Sequence, residues 1–234
     1  MKTVVISLGG SILVKTTKEN RIAAYLPVLK EIAAHHRLFV VVGGGGGARS
    51  YIDVARSLCL DEGTSDEIGI LVTRLNATLL VAALHDAAYP KVAESHNEAK
   101  KFAETGKIVV MGGITPGQTT DAVAAVLAER VRADLFINVT SVDGIFAEDP
   151  EENPAAEHFD RLTPAELVKI VSEKGLTAGS HTPLDITAAR VVERSHIPLV
   201  VLKGTDPENL SRAIFKGKCT CTIVSETKKK LLPL

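Results

Sequence analysis

The sequence predicts an α/β fold in which a parallel sheet is flanked by helices. Two observations support this class: short runs rich in β-branched residues alternate with longer segments of helical period, and several short runs are too continuously apolar for edge strands. In chain order, the predicted strands span residues 3–8, 38–42, 107–111, 135–139, 199–203 and 220–224. The predicted helices span residues 20–36, 49–58, 67–87, 120–132, 164–173, 185–195 and 207–215.

Size and composition indicate one domain. The chain has 234 residues, of which 45% are hydrophobic and 24% charged, and this fits one large domain better than two. A polar, proline-containing stretch over residues 143–164 divides an N-terminal half from a C-terminal half. The first apolar run is too short for a signal peptide, and the apolar stretch around residues 79–84 falls far below the ~20 residues of a membrane span. We therefore expect a cytoplasmic protein without a membrane partner.

Charge and cysteine content exclude two further classes. The formal net charge is −1, and the basic cluster from Lys228 to Lys230 is too small to indicate a nucleic-acid partner. Cys59, Cys219 and Cys221 are too few for a disulfide framework, and no further Cys or His stands at zinc-like spacing. Cys219 and Cys221 are therefore interpreted as ordinary strand residues.

Two glycine-rich turns form the main candidate for an anion site. Gly9 and Gly10 follow the first predicted strand, and Gly43 to Gly47 follow the second and open a helix. Glycine lacks a Cβ, so its N–H group can approach an anion closely, and a helix N-terminus adds roughly half a positive charge. Because neighbouring parallel strands end at the same sheet edge, we expect both turns to face one crevice. Tight turns without a ligand are the alternative.

A third candidate segment follows the predicted strand that ends at Met111. Residues 112–121 combine glycines, hydroxyl groups and the start of a helix. Thr119 or Thr120 is expected to cap that helix, and capping alone is the alternative to a role in ligand binding.

Other nucleotide-binding motifs fit poorly. Gly43, Gly45 and Ala48 match G-x-G-x-x-A, but the acidic residue that should close a second strand, Asp61 or Glu62, stands in a polar loop before a long helix. The chain has no Gly-Lys-Ser or Gly-Lys-Thr, which excludes a Walker A loop, and no H-R-D motif of protein kinases.

Motifs in a fixed order are similar to those of the amino-acid kinase superfamily. They comprise Gly9 and Gly10 with Ser11, residues 42–45, residues 113–121, residues 140–146, and the pair Asp149 and Pro150. Within this superfamily, residues 66–70, 73–77 and 115–125 closely resemble the archaeal type of uridylate (UMP) kinase. The resemblance covers nearly the whole chain, and five motifs in the right order argue against a chance match.

This resemblance implies a fold, a reaction and an assembly. The implied amino-acid kinase fold is a three-layer sandwich, with a central mostly parallel sheet between helices, formed by a single domain over residues 1–234. Such enzymes transfer the γ-phosphoryl group of ATP to UMP, giving UDP and ADP in pyrimidine nucleotide synthesis, with Mg²⁺ held through the ATP phosphates. They are cytoplasmic homohexamers, trimers of dimers. The helix from residue 67 is implied to make the dimer contact, with Arg74 and Asn76 in or near it.

The resemblance also implies site residues. An N-terminal lobe of residues 1–140 would bind UMP and the ATP phosphates, and a C-terminal lobe of residues 141–234 would bind the ATP nucleoside. The implied ATP ligands are Gly9, Gly10, Ser11, Gly45, Arg49, Thr140, Phe146 and Asp149. The implied UMP ligands are Gly44, Asp66, Ile114, Thr115, Pro116, Gly117, Gln118, Thr119 and Thr120. Candidates for a direct part in catalysis are Ser7, Gly10, Arg49, Asp121 and Asp185.

Elementary chemistry fits that assignment. The second pKa of a phosphate monoester is ~6, so the attacking oxygen is largely deprotonated at neutral pH and no general base is required. The task is to hold two polyanions in line and to stabilise the transferred charge. Arg49 is the leading cation because its planar guanidinium can bridge phosphate oxygens, and a solvated surface position is its alternative. Asp121 can orient loop amides or only cap its helix, and Asp66 can bind ribose hydroxyls or serve as an N-cap.

Some positions and functions stay open at this stage. Ser7 stands where many superfamily members carry a lysine, and Asp185 stands where other branches carry a catalytic lysine. One alternative function is a sister kinase that acts on isopentenyl phosphate or an amino-acid carboxylate. An isopentenyl phosphate kinase is expected to have a His shortly after the glycine run, and residues 48–52 contain none. The other alternative is a non-catalytic relative that binds a nucleotide or an oxyanion.

Overall fold

The computed structural model describes residues 1–16, 18–150, 152–174, 184–227 and 231–234. The basic cluster from Lys228 to Lys230 and the loop around His181 lie outside these ranges. The N-terminal half contains, in order, β1 (Thr3–Leu8), α1 (Gly10–Leu13), α2 (Ile22–His35), β2 (Arg37–Val42), α3 (Gly45–Ser57), α4 (Glu62–Leu84), α5 (His96–Phe102), β3 (Val109–Met111), α6 (Thr120–Val131) and β4 (Leu135–Thr140).

The C-terminal half adds shorter strands and three helices. They are, in order, β5 (Ile145–Phe146), β6 (His158–Phe159), β7 (Arg161–Leu162), α7 (Pro164–Lys174), α8 (Ile186–Ser195), β8 (Leu199–Lys203), α9 (Glu208–Ser211), which continues as a π-helical turn (Arg212–Lys216), and β9 (Cys221–Val224).

The predicted mostly parallel sheet is confirmed. It has seven strands in the order β3-β2-β1-β4-β8-β9-β7 within the described residues, and β5 and β6 form a separate antiparallel pair. The first five strands run parallel, and only β9 is antiparallel to its neighbour β8. Leu8 pairs with both Val42 and Val139, so β1, β2 and β4 end level with one another. The turns that follow these strands therefore share one edge of the sheet.

Alternate residues of each strand supply two separate cores. Val4, Ile6 and Leu8 lie in a cluster with apolar residues of α2 and α4, whereas Val5 lies in a second cluster with residues of α6 and α8. This alternation follows from the two-residue period of a strand, which sends successive side chains to opposite faces. Helices thus cover both faces, and the three-layer sandwich is confirmed.

Two helices begin earlier than the sequence predicts. α4 starts at Glu62 rather than at residue 67, because the Asp61 carboxylate accepts a hydrogen bond from Thr64 N at 3.0 Å and caps the helix. Asp66 consequently lies inside α4, and its interpretation as an N-cap is wrong. α3 starts at Gly45 rather than at residue 49, so part of the glycine run is itself helical. Arg49 therefore stands in the second turn of α3.

One expectation from the cysteine content is also wrong. Cys219 and Cys221 are joined by a disulfide instead of standing as separate strand residues. The segment Glu62–Ala87, within the described residues, is long and apolar enough to span a membrane by length and composition, although the apolar stretch around residues 79–84 is short. Its inner face packs against β2 and β3, as in helices that cover the sheet of a globular protein.

Candidate functional site

The two glycine turns lie in contact at the carboxyl edge of the sheet. A Cβ atom built on Gly10 would lie 2.1 Å from Gly45 N and 2.5 Å from the carbonyl carbon of Gly43. No side chain fits at such distances, so the close approach of the turns requires glycine. The expected single crevice is therefore formed by two main-chain segments that touch.

The amide groups of these turns fall into two sets. Gly9 N donates to Val139 O at 3.1 Å, and Gly43 N donates to Leu8 O at 3.1 Å, so both amides hold strand ends together. The amides of Gly10, Gly44 and Gly45 donate no backbone hydrogen bond within the described ranges. These three amides are consequently the ones available to a phosphate, whereas the Gly9 amide already has a partner in the chain.

Asn76 fixes the orientation of the second turn, a role that the sequence did not suggest. Its side chain is 4% exposed, and Nδ2 donates to Gly43 O at 3.0 Å and to Gly44 O at 3.3 Å. Within its own chain the Asn76 side chain is therefore buried against the glycine turn, and its nearness to a subunit contact stays a prediction. Arg74 is likewise engaged within the chain, through Gly113 O at 3.2 Å and Glu94 at 3.0 Å.

A cavity of about 230 Å³ opens beside Gly44, between α4 and the segment that follows β3. Its lining includes six residues that the sequence predicts as UMP ligands: Gly44, Asp66, Thr115, Gln118, Thr119 and Thr120. Ile114, Pro116 and Gly117 belong to the same segment but do not line the cavity. The structure therefore gathers the predicted acceptor residues beside the glycine turns.

α4 holds this segment through two side chains. Asp66 Oδ2 accepts a hydrogen bond from Gly117 N at 2.7 Å. Thr73 Oγ1 donates to Ile70 O at 2.7 Å and accepts from Gly113 N at 2.7 Å. The segment after β3 is thus tied to the helix at both of its ends.

A polar cluster lies beneath the site on the face that α6 covers. Ser7 and Asn138, paired in register on β1 and β4, are 1% and 2% exposed. Ser7 Oγ donates to Asp121 Oδ1 at 2.6 Å, and the Asn138 side chain also hydrogen-bonds the Asp121 carboxylate. Burial raises the pKa of the Asp121 carboxyl to about 6, the nearby Asp185 carboxylate raises it as well, and the hydrogen bonds from Ser7 and Asn138 oppose both effects.

Asp185 links the starts of two helices. Its Oδ1 caps α8 by accepting hydrogen bonds from Thr187 N at 2.8 Å and Ala188 N at 3.0 Å, and its Oδ2 accepts one from Thr119 Oγ1. Thr119 in turn caps α6 by accepting from Ala122 N at 3.1 Å. Of the two expected capping residues, Thr119 rather than Thr120 fills the role.

Arg49 is exposed on α3, and its side chain makes no hydrogen bond or ion pair with any described residue. All five of its N–H donors are therefore available to a ligand. Its position follows from the helical start of the glycine run, which places it one turn beyond the unpartnered amide of Gly45.

The residues predicted to bind the ATP nucleoside lie at the end of β4 and in the segment after it. Gly9 N bonds the carbonyl of Val139, so Thr140 stands next to the first glycine turn, and Thr140 O accepts from Gly204 N at 2.9 Å. Phe146 lies in β5, where its ring meets His158 edge to face at 4.9 Å. The carbonyl of Asp149 accepts from Asn153 N at 2.8 Å in a turn.

Comparison with known proteins decides the family. The family model described as "Amino acid kinase family" matches residues 2–203. The chain belongs to this family. It is 73% identical over 234 residues to a uridylate kinase of Methanoregula boonei and 59% identical over 233 residues to one of Methanoculleus marisnigri, with 100% of each chain covered. The crystal structure of a uridylate kinase from Archaeoglobus fulgidus superposes with a TM-score of 0.84 at 43% identity, covering 96% of this chain and 100% of that one.

Kinases of this family imply a metal ion bound together with ATP. Within the described ranges, no group of three or more His, Cys, Asp or Glu side chains is placed to hold a metal. Mg²⁺ commonly keeps several waters and binds largely through the phosphates of its substrate. The described residues therefore form no dedicated metal site, and they are compatible with an ion held through the ATP phosphates.

Proposed function

We propose that this member of the amino acid kinase family is a UMP kinase that transfers the γ-phosphoryl group of ATP to UMP. The observation that carries the proposal is the contact between the two glycine turns beside a separate cavity. Unpartnered amides at Gly10, Gly44 and Gly45 can receive phosphates, and Gly44 belongs both to the turn and to the cavity lining. Two nucleotides can therefore meet with their phosphates at this residue.

The cavity is suited to a nucleoside monophosphate. Asp66 is the one acidic residue among the described residues that line it, and it offers an acceptor for ribose hydroxyls, while Ile52 and Ile70 supply apolar contact for a base. Thr119 and Thr120 stand at the start of α6, where a phosphate is stabilised by the helix dipole and by free N–H groups. UMP would thus lie with its phosphate towards the glycine turns.

The residues around the phosphates act by position and charge. The acceptor phosphate is already ionised at neutral pH, because the second pKa of a phosphate monoester is ~6, so the chain needs no base to activate it. Arg49, with its donors free, would bind the transferred group as negative charge spreads over its oxygens. Mg²⁺, when bound, neutralises part of the phosphate charge. Asp121 and Ser7 would support the first glycine turn from beneath.

We also propose that the protein acts in the cytoplasm as a homohexamer built from dimers through α3 and α4. These two helices pack side by side and leave apolar side chains exposed: Leu71 is 63%, Leu75 is 60% and Leu79 is 48% exposed on α4. On α3, Tyr51 is 61% and Val54 is 55% exposed. Exposed apolar side chains on neighbouring helices are typical of protein interfaces, and a second copy would cover them.

A coupled assay of ADP release tests the reaction. The chain is incubated with ATP and, in turn, with UMP, CMP, dUMP, isopentenyl phosphate or no acceptor. We expect ADP release that depends on an acceptor and is fastest with UMP. A tenfold preference for CMP or isopentenyl phosphate contradicts the assignment of the acceptor, and ATP binding without turnover with any acceptor contradicts the assignment as an enzyme.

Variants of Arg49 test the assigned electrostatics. Arg49→Ala is expected to lower kcat by about 100-fold or more, the loss typical for one preorganised donor to a transition state. Arg49→Lys is expected to recover only part of it, because a lysine cannot bridge two oxygens with a planar fork. Arg37→Ala removes an exposed arginine at the amino end of β2, away from the glycine turns, and is the matched control. Equal kcat in Arg49→Ala and Arg37→Ala would contradict the role of Arg49.

A further inference from the structure

Thr222 is a buried polar residue outside the residues assigned to the site. It lies in β9, opposite Val201 of β8, and is 0% exposed. Its hydroxyl donates to Phe159 O at 2.6 Å and accepts from Ile145 N at 2.7 Å. One side chain in the main sheet is therefore bonded to both strands of the separate β5-β6 pair.

The strand that donates a hydrogen bond to this hydroxyl carries Phe146. β5 contains only Ile145 and Phe146, and it pairs with β6 through Ile145 with Phe159 and Phe146 with His158. β6 is followed at once by β7, which pairs with β9 in the main sheet, whereas β5 is not a strand of that sheet. The Thr222 hydroxyl thus joins the strand of Phe146 directly to the main sheet.

The residue before β5 is packed against the same hydroxyl. A Cβ atom on Gly144 would lie 2.5 Å from Thr222 Oγ1 and 2.5 Å from His158 Nε2. His158 is held from its other side, since Nδ1 lies 3.1 Å from Asp160 Oδ1, and its ring contacts Phe146. Gly144 and Phe146 therefore rest on two side chains that are themselves fixed.

We propose that Thr222 is a positioning residue for ATP: its hydroxyl, packed against Gly144, sets the place of Ile145 and so aims Phe146 at the nucleoside. This inference rests on the proposed function, in which Phe146 contacts the ATP nucleoside. Because the hydroxyl acts on the segment after β4 and not on α4 or the segment after β3, its removal affects ATP and leaves UMP binding intact. The expected signature is a change in KM for ATP alone.

The test compares Thr222→Val, which keeps the shape and removes the hydroxyl, with Thr222→Ser, which keeps the hydroxyl. We expect Thr222→Val to raise KM for ATP and the Kd of ADP, measured by calorimetry without UMP, by about tenfold, roughly the effect of losing the one of its two hydrogen bonds that holds Ile145 N. KM for UMP and kcat should change less than about twofold in the same variant, and Thr222→Ser should restore the wild-type values. Ser211→Ala, which removes a buried hydroxyl of α9 that donates to Glu31 of α2 at 2.9 Å, controls for lost stability.

Several results would overturn the proposal. They are an equal rise of both KM values, unchanged ADP binding in Thr222→Val, or a Thr222→Ser variant as impaired as Thr222→Val. Should Thr222→Val fail to fold, Gly144→Ala carries the test, since its methyl group displaces the same segment, and an unchanged KM for ATP then overturns the proposal. Phe146→Ala separates the two levels of inference: if it leaves KM for ATP unchanged in an enzyme that phosphorylates UMP, the assigned nucleoside site is wrong rather than the role of Thr222 alone.

Discussion

Replacing Asp121 by asparagine should stabilise the protein at neutral pH. The carboxylate is partly buried beneath the glycine turns, and burial raises the pKa of Asp121 from its ordinary value of 3.8 to about 6. The native state therefore favours the protonated carboxyl, whereas the unfolded chain ionises it readily. Asparagine has nearly the shape of the protonated form, and its carbonyl oxygen can still accept the hydrogen bond from Ser7.

The magnitude follows from linkage between protonation and folding. A pKa that moves from 3.8 to about 6 corresponds to about 3 kcal/mol of free energy. In the wild-type protein the contribution of the Asp121 carboxyl to the free energy of unfolding is complete below pH 3.8, and it is lost as the pH rises through 6. The variant lacks this dependence, so its advantage in unfolding free energy grows by about 1.4 kcal/mol between pH 5 and pH 8 and approaches about 3 kcal/mol at pH 8.

Urea denaturation followed by circular dichroism measures this difference. Both proteins are unfolded at pH 5, 6, 7 and 8, and the free energy of unfolding is obtained by linear extrapolation to water. All other titrating groups are shared, so subtracting the two curves isolates Asp121. Asp53→Asn, on the exposed face of α3, controls for the loss of one negative charge. A difference that stays constant or shrinks from pH 5 to pH 8 would refute the reasoning.

Three further variants probe the turns and the apolar patch. Gly10→Ala should lower kcat by about 100-fold, because its Cβ would lie 2.1 Å from Gly45 N. Steady-state kinetics measures kcat, and far-ultraviolet circular dichroism checks that the variant is folded. A wild-type kcat would show that the two turns can separate freely. Asn76→Ala should lower the free energy of unfolding by about 1–3 kcal/mol, since Gly43 O loses its side-chain donor and Gly44 O keeps only Ala48 N. A urea curve like that of the wild type would contradict the role of Asn76. Leu75→Lys should shift the protein to smaller species in analytical ultracentrifugation, and an unchanged sedimentation coefficient would place the interface elsewhere.

The longer strands were predictable because each is a mostly apolar run, whereas the two-residue strands β5, β6 and β7 were not predicted. β1 and β8 have the bounds that the sequence predicts. Helix starts were harder, since they depend on which side chain caps the first turn. The Asp61 cap extends α4 by five residues relative to the prediction. α5 was not predicted, although Ser95 and Glu98 form an S-x-x-E pattern in which Ser95 caps the helix. Its seven residues are too few to show a helical period.

The glycine turns of the site were predictable from the sequence, but the polar residues that bond to partners elsewhere in the chain were not. The glycine turns stand out because several adjacent glycines after a strand have few other uses. Asn76, Asn138 and Thr222 are single polar residues in apolar segments, and their partners lie far away in the chain. Thr73 and Asn76 are three positions apart, so they lie on one face of α4, and this spacing was the available sign that both side chains meet the same neighbour. The partners of Asn138 and Thr222 can be found only when the sheet register is known.

The proposed main-chain recognition of phosphate at the touching glycine turns has a consequence for engineering. The N–H groups of Gly10, Gly44 and Gly45 cannot be removed by exchanging side chains, and any larger residue at Gly10 collides with the neighbouring turn. Directed evolution towards a new acceptor or donor must therefore work on the surrounding walls, such as Asp66 and Phe146, while the anchor for the phosphates is inherited unchanged. The preference for a particular base or sugar can therefore change while phosphate binding by the turns is retained.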